Sequence, residues 1–166
     1  MSVRLVMDAL DFARNGGAHH GKIALSELER LQDYLTDNSG EVQYAVTGAL
    51  NRKAKPILQL VVRGAINLRC QRCLGKFAHV LDLQTDLLLA RDEDELARFD
   101  EDESVDCILA TANTDVLALI EDEIILSLPL SPRHEESECS IDKPGSDDTA
   151  EERPLFAALA ALKNLH

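Results

Sequence analysis

The chain has 166 residues, a formal net charge of −13, 45% hydrophobic residues, only 4% aromatic residues and no Trp. That length suits one domain with tails, and the apolar fraction can fill a real core, built mostly from Leu, Val, Ile and Ala because aromatics are few. No N-terminal apolar stretch precedes a cleavage site and no run approaches the ~18 apolar residues of a membrane span, which argues against export and for a cytoplasmic protein with no membrane partner.

In chain order, Val3 to Phe12 reads as an opening strand, followed by a Gly- and His-rich loop over residues 14–21. Ser26 and Glu29 form a capping box, and Leu28, Leu31 and Leu35 recur at helical spacing, so a helix is predicted over 26–36. Asn38-Ser39-Gly40 ends it. A meander follows. Val42 to Leu50 alternates apolar and polar residues, and Lys53 to Pro56 turns the chain. Ile57 to Gln71 is the clearest strand, with Leu58, Leu60, Val62, Gly64, Ile66, Leu68 and Cys70 on one face. Gly64 is the one candidate for a bulge. Phe77 to Leu89 returns with Phe77, His79, Leu81, Leu83 and Leu87 facing inward, so Gln71 to Lys76 is the tip of a hairpin.

Residues 91–106 read as an acidic loop that buries little. Cys107 to Ala110 is a short strand, and Thr114 or Asp115 caps a helix that runs to about Leu126 and stops before Pro129. The predicted fold class is α+β: an antiparallel β-meander or partly closed barrel with a few packed helices. Residues 1–133 form a single α+β domain, 134–152 an acidic flexible linker, and 153–166 a short amphipathic helix. Pro154 opens that helix, and Leu155, Phe156, Leu159 and Leu162 are its apolar stripe. At about ten residues it needs a surface to dock on.

Charge is strongly partitioned. From Val42 to Leu81 there is no Asp or Glu but there are seven bases: Arg52, Lys53, Lys55, Arg63, Arg69, Arg72 and Lys76. Residues 82–152 carry twenty-three acids against four bases. Blocks of this kind are ordinarily solvated faces. The net charge repels nucleic acid at long range, but salt screens beyond about 8 Å, so a basic face can touch RNA while acidic parts point away. Arg63 and Arg69 project from one face, with Arg72 and Lys76 at the tip, a small phosphate-binding footprint without base-reading aromatics apart from Phe77. The acidic segments could equally hold a basic protein.

Within the basic block lies Cys70-Gln71-Arg72-Cys73-Leu74-Gly75. Two thiolates at this spacing can chelate one tetrahedral zinc, with a following Gly allowing a tight turn that aims N–H groups at sulfur. Plain turn thiols and a redox pair are the alternatives; a thioredoxin-like pair would need to open a helix after a strand. One pair is half a site. Cys139 and His134, spaced H-x4-C, are the best further ligands, and His79 is another candidate. Cys107 lies in an apolar stretch and reads as a buried small hydrophobe. Glu121, Asp122 and Glu123 are consecutive, cannot share one helix face, and read as a solvated helix edge. No P-loop, dinucleotide fingerprint, nucleophile elbow or zincin motif is present, so no catalytic residue is assigned and the protein is expected not to be an enzyme.

LRCQRCLGKF, then EDEIILSLPLSPRHEESEC, then PLFAALAALK together resemble the YceD family, the large ribosomal RNA subunit accumulation proteins. The resemblance is sharpest over Cys70–Phe77 and Asp122–Cys139. It implies a bacterial cytoplasmic protein needed for synthesis, processing or stability of 23S ribosomal RNA. Some relatives carry further cysteines after the Leu-Pro; here only Cys139 follows, and His134 would complete the set. The expected partners are ribosomal RNA or a pre-50S particle, reached through Arg63, Arg69, Arg72 and Lys76. The rival is a basic ribosomal protein chaperoned by Asp92 to Asp106 and the linker. A processing ribonuclease is a third reading, without a visible metal-carboxylate or His pair, and no DNA partner is expected.

Overall fold

One long hairpin organises the molecule. In the computed structural model, which describes residues 5–135, 138 and 139, strands β4 (Pro56–Arg69) and β5 (Lys76–Ala90) pair antiparallel from Ile57↔Leu88 to Arg69↔Lys76. Most of the linker predicted over 134–152, and the helix predicted over 153–166, lie outside the described residues. The register runs through Gly64 without a break, so that residue makes no bulge. Its missing side chain instead admits the neighbouring strand: a Cβ there would lie 3.0 Å from Val42 Cγ1 and 3.3 Å from the Glu41 carbonyl.

Strands β2 (Ala18–Ala24) and β3 (Glu41–Leu50) precede the hairpin, and β6 (Asp106–Leu109) follows it. The sheet order is β2-β3-β4-β5-β6; its first four strands form an antiparallel meander, and β6 joins β5 in parallel. The fold is thus α+β as predicted, with the meander and not the barrel: β2 and β6 are the two edges of an open sheet. Period-two alternation sends Leu58, Leu60, Val62, Ile66, Leu68, Leu81 and Leu87 into the core. Arg63, Ala65, Arg69, Ala78, Val80 and Asp82 face out.

The helical elements cover the inner face, and here the structure departs from the sequence reading. The opening strand is reduced to β1 (Val6–Met7), paired with β7 (Thr114–Asp115), and is followed by helix α1 (Ala9–Arg14). Asp8 caps α1 by accepting the Asp11 N–H at 3.0 Å, and Ala9 and Ala13, one turn apart, are buried. The helix predicted over 26–36 is instead two 3-10 turns, Leu25–Glu27 and Arg30–Tyr34. No side chain caps either turn from its N-cap position, so the Ser26–Glu29 box does not form. The acidic 91–106 stretch contains helix α2 (Glu93–Asp100). Asp92 caps it through the Glu95 N–H at 2.8 Å. Lys55 ties it to the β3–β4 turn, 3.7 Å from Glu95 and 4.0 Å from the Phe99 ring centre. As expected of so charged a segment, α2 buries no residue.

Helix α3 (Val116–Ser127) appears as predicted, with Asp115 accepting N–H bonds from Leu117 and Ala118. Its Glu121 is not a solvated edge; the side chain is only 8% exposed. Its Oε1 accepts the N–H groups of Arg30 (2.6 Å) and Leu31 (3.0 Å), and its Oε2 accepts Arg30 Nε at 2.8 Å. The carboxylate therefore satisfies the first donors of the second 3-10 turn from across the core. Arg30 also reaches Asp122 at 2.5 Å and the Ala118 carbonyl at 3.1 Å. No helix among the described residues is long and apolar enough to cross a membrane.

Glu121→Ala should cost roughly 2–4 kcal/mol, because the N–H groups of Arg30 and Leu31 would lose their acceptor and the Arg30 guanidinium would keep only Asp122 as a charged partner. Glu121→Gln, which keeps one acceptor oxygen, should cost distinctly less. Urea unfolding of both variants measures the difference; equal costs would mean that the charge and not the acceptor geometry holds the turn.

Candidate metal centre at the tip of the basic hairpin

The hairpin tip is closed by two backbone bonds, Cys70 N–H to the Gly75 carbonyl (2.8 Å) and Leu74 N–H to the Cys70 carbonyl (2.9 Å). The left-handed residue of this turn is Leu74, at φ +61°, and not the glycine. Gly75 serves close approach instead: a Cβ there would sit 3.3 Å from Cys73 Sγ, and its N–H points at that sulfur at 3.4 Å. The Arg72 N–H points in the same way at Cys70 Sγ, 3.4 Å.

The chain leaving α3 returns to this tip. Gln71 N–H bonds the Pro132 carbonyl at 2.8 Å, and the His134 ring stacks on Phe77 with centres 5.5 Å apart and planes 15° from parallel. His134 Nε2 then lies 3.6 Å from Cys73 Sγ, and Cys139 Sγ lies 3.9 Å from Cys70 Sγ. The donor atoms of Cys70, Cys73, His134 and Cys139 all fall within 4.8 Å of one another. Zinc bonds of about 2.3 Å to sulfur and about 2.0 Å to nitrogen would set tetrahedral edges of about 3.8 Å for S···S and about 3.5 Å for S···N. The two contacts observed match those edges.

Electrostatics point the same way. Burial opposes ionisation of Cys70, but the N–H groups of Cys73, Arg72 and His134 outweigh it and bring the thiol down to about 5. At Cys73 the Gly75 N–H favours the thiolate, yet burial and the neighbouring Cys139 and Cys70 sulfurs push the group up. Several thiolates at this spacing need a cation among them. The Arg72 guanidinium supplies part of it, with Nε 3.1 Å from Cys139 Sγ and a terminal nitrogen 3.4 Å from the His134 carbonyl. A divalent metal with three thiolates and a neutral imidazole would carry one net negative charge, which Arg72 offsets.

The predicted donors Cys70, Cys73, His134 and Cys139 are thus brought together. His79, the other candidate, stands opposite Ile66 further down the hairpin. Cys107 is half-buried on β6 and not fully buried as predicted, donating to Asp100 Oδ1 at 2.8 Å. Burial, Asp100 and Asp106 push it up to about 11, so it stays a thiol at neutral pH. Sequence reasoning gives Arg72 and Phe77 no part in the centre. It also misses the clamp of Glu121, whose signal is its spacing: Val116, Ile120 and Ile124 define the core face, and Glu121 lies beside it.

The basic residues of the block are less free than their sequence suggests. Arg63 Nε bonds Asp82 at 2.9 Å, with both side chains exposed, and Lys76 is paired with Asp37. Lys76, with Ser39 and Asn67, holds the Asp37 carboxyl well below the usual carboxylate range. Arg69 is exposed and has no ion pair among the described residues. A larger cleft of about 870 Å³ lies at the opposite end of the sheet, where Lys53, Lys55 and Arg98 are interleaved with Asp86, Asp102 and Asp106.

The profile of the family described as "Large ribosomal RNA subunit accumulation protein YceD" matches residues 58–163, which include the tip and all four donors. A curated Haemophilus influenzae protein described by the same words is 23% identical over 165 residues, covering 96% of this chain and 95% of its own. No solved structure matches.

Freshly purified protein should hold about one divalent metal ion per chain by elemental analysis. Chelation should lower its melting temperature, and Cys70→Ser should abolish binding; less than a tenth of an equivalent in the unmodified chain would rule out a structural metal. The Asp37–Lys76 pair should stabilise the fold above the ordinary carboxylate value near pH 4, because the folded-state value is depressed. That contribution should fade as pH falls further. Asp37→Asn should remove this part of the acid dependence in urea melts recorded from pH 6 downward.

Proposed function

The chain belongs to the YceD family, and from that premise we propose that it is a non-catalytic, cytoplasmic ribosome-biogenesis factor whose zinc-stiffened basic hairpin contacts 23S ribosomal RNA or a pre-50S particle. The observation that carries this reading is the convergence of four metal donors, from segments 61–69 positions apart, on the tip of the acid-free block. The centre would fix the direction in which Arg69 projects and would hold Arg72 in place, while Arg63 and Lys76 exchange their carboxylate partners for phosphates. A rigid tip gives up little conformational freedom on binding, which matters when only a few charges are at hand. The acidic remainder of the chain keeps the contact from becoming indiscriminate.

Exposed acidic helix α2 favours a second reading, an adaptor for a basic large-subunit ribosomal protein: it buries no residue and presents Glu93 and Asp94 outward. Co-purification of such a protein, abolished by Glu93→Gln with Asp94→Asn, would support this adaptor role.

Titration against a 23S ribosomal RNA fragment at two salt concentrations tests the first reading. Replacing Arg63, Arg69 and Lys76 with Ala leaves the metal donors and Arg72 intact. It should weaken binding at least tenfold and flatten the log–log salt slope by about 0.7–0.9 for each phosphate no longer neutralised. Asp37→Asn and Asp82→Asn should strengthen binding by freeing Lys76 and Arg63. A triple variant that binds like the parent chain would sink the hairpin as the RNA-binding element.

A further inference from the structure

We propose that the chain's own C-terminal segment, residues 153–166, docks in an apolar groove alongside α3, between the Arg30–Tyr34 turn and the Leu128–Pro132 exit. Two contiguous depressions of about 510 and 530 Å³ make this groove, and they share Asp33, Tyr34 and Ile125. Its apolar surface is unusually open for a chain with so few aromatics: Tyr34 is 51% exposed, Leu126 79% and Leu130 fully exposed. Exposed apolar side chains gathered along one groove with a polar rim mark a surface for a covering partner.

Three observations select the occupant. The first is where the described chain ends. Cys139 is held against Cys70, and Gln71, the neighbour of Cys70, bonds Pro132 and lines the groove together with it. Residues 140–152 therefore start at one end of the groove, and thirteen residues reach at most about 45 Å, enough to lay the following segment along its length. The second is composition. Residues 155–162 read Leu-Phe-Ala-Ala-Leu-Ala-Ala-Leu without a polar residue, and on a helix Leu155, Phe156, Leu159 and Leu162 share one face. So short a helix is marginal alone and is stabilised by a surface that takes that face. The third is charge. The groove is lined by Asp33, Asp122 and Glu123 against Arg30 and Arg69, and Arg30 is already paired with Asp122, so its balance is acidic by one charge, whereas the charged side chains of 153–166 at neutral pH are Arg153 and Lys163. A tether of this length gives an effective concentration on the order of millimolar, which favours the segment of the same chain over a second copy.

The absence of Trp makes the test direct. Phe156→Trp introduces a single indole into the full chain. Its emission should be blue-shifted and protected from acrylamide, and should not change on dilution. Adding Leu126→Asp and Leu130→Asp, both at exposed positions and so harmless to the core, should return emission to that of a solvated indole and raise quenching several-fold, with unchanged far-ultraviolet circular dichroism. Solvent-like emission in the single variant would overturn the proposal. So would a blue shift that survives the two aspartates, or one that disappears on dilution in step with a dimer-to-monomer change in sedimentation. The readout involves neither RNA nor metal, so it stands apart from the outcome of the binding titration.

Discussion

The uninterrupted ladder between β4 and β5 is the constraint on which the other features depend. A strand pair with a side-chain period of two has one degree of freedom, its register, and a slip of one residue would turn Leu58, Leu60, Val62, Ile66 and Leu68 out into water. Because the core fixes that register at one end, it also fixes it at the other. Arg69 and Lys76 face each other, and Cys70 to Gly75 have no choice but to form the turn. The inner face of the same ladder carries the 3-10 turns and α3, and Glu121 holds these two layers together. The position of the chain after α3, and with it of His134 and Cys139, follows from that packing.

Charge blocks in the sequence do not become charge patches of the same extent in space. The acid-free block projects its cations toward acids that arrive from elsewhere: Arg63 toward Asp82, Lys76 toward Asp37, Lys55 toward Glu95. Pairs exposed on both sides, as Arg63–Asp82 is, are individually weak, contributing roughly 0–1 kcal/mol, and exchange readily for a stronger anion, whereas the carboxylate of the Lys55–Glu95 pair is largely buried. Arg72 differs from them, since it reaches a sulfur and a backbone carbonyl within the cluster. The hairpin thus has one cation built into its structure and others that are only loosely engaged.

What can be read in the sequence is whatever depends on local period. β3, β4, β5, the hairpin tip and α3 with its Asp115 cap are all visible in alternation or capping chemistry. The donor set is visible too, because Cys-x-x-Cys and H-x4-C are local patterns, although nothing local says that they meet. Local reasoning fails where tertiary contacts override local preference. Leu28, Leu31 and Leu35 have helical spacing, but the backbone donors of Arg30 and Leu31 are satisfied by Glu121 from another element, and 3-10 turns suffice. The charge of Asp92 to Asp100 argues against folding, whereas an Asp cap and one Lys lying over Phe99 are enough to hold a two-turn helix. Gly75 reads as the residue that lets the chain turn, yet Leu74 takes the left-handed conformation and the glycine makes room for a sulfur.

The placement of the cluster also bears on the state that the fold competes against. Cys70 and Cys139 are 69 positions apart, and β5, α2, β6 and α3 lie between them. A metal bound by both would close that entire stretch into a ring, as a disulfide does in secreted proteins, but by a bond that a reducing compartment leaves intact. For a ring of this size the chain-entropy account gives about 4 kcal/mol, comparable with the whole margin by which many domains stay folded. Metal supply would then govern the lifetime of the protein as well as the shape of its tip: starved of metal, the chain would be without a cross-link that no single hydrophobic contact replaces.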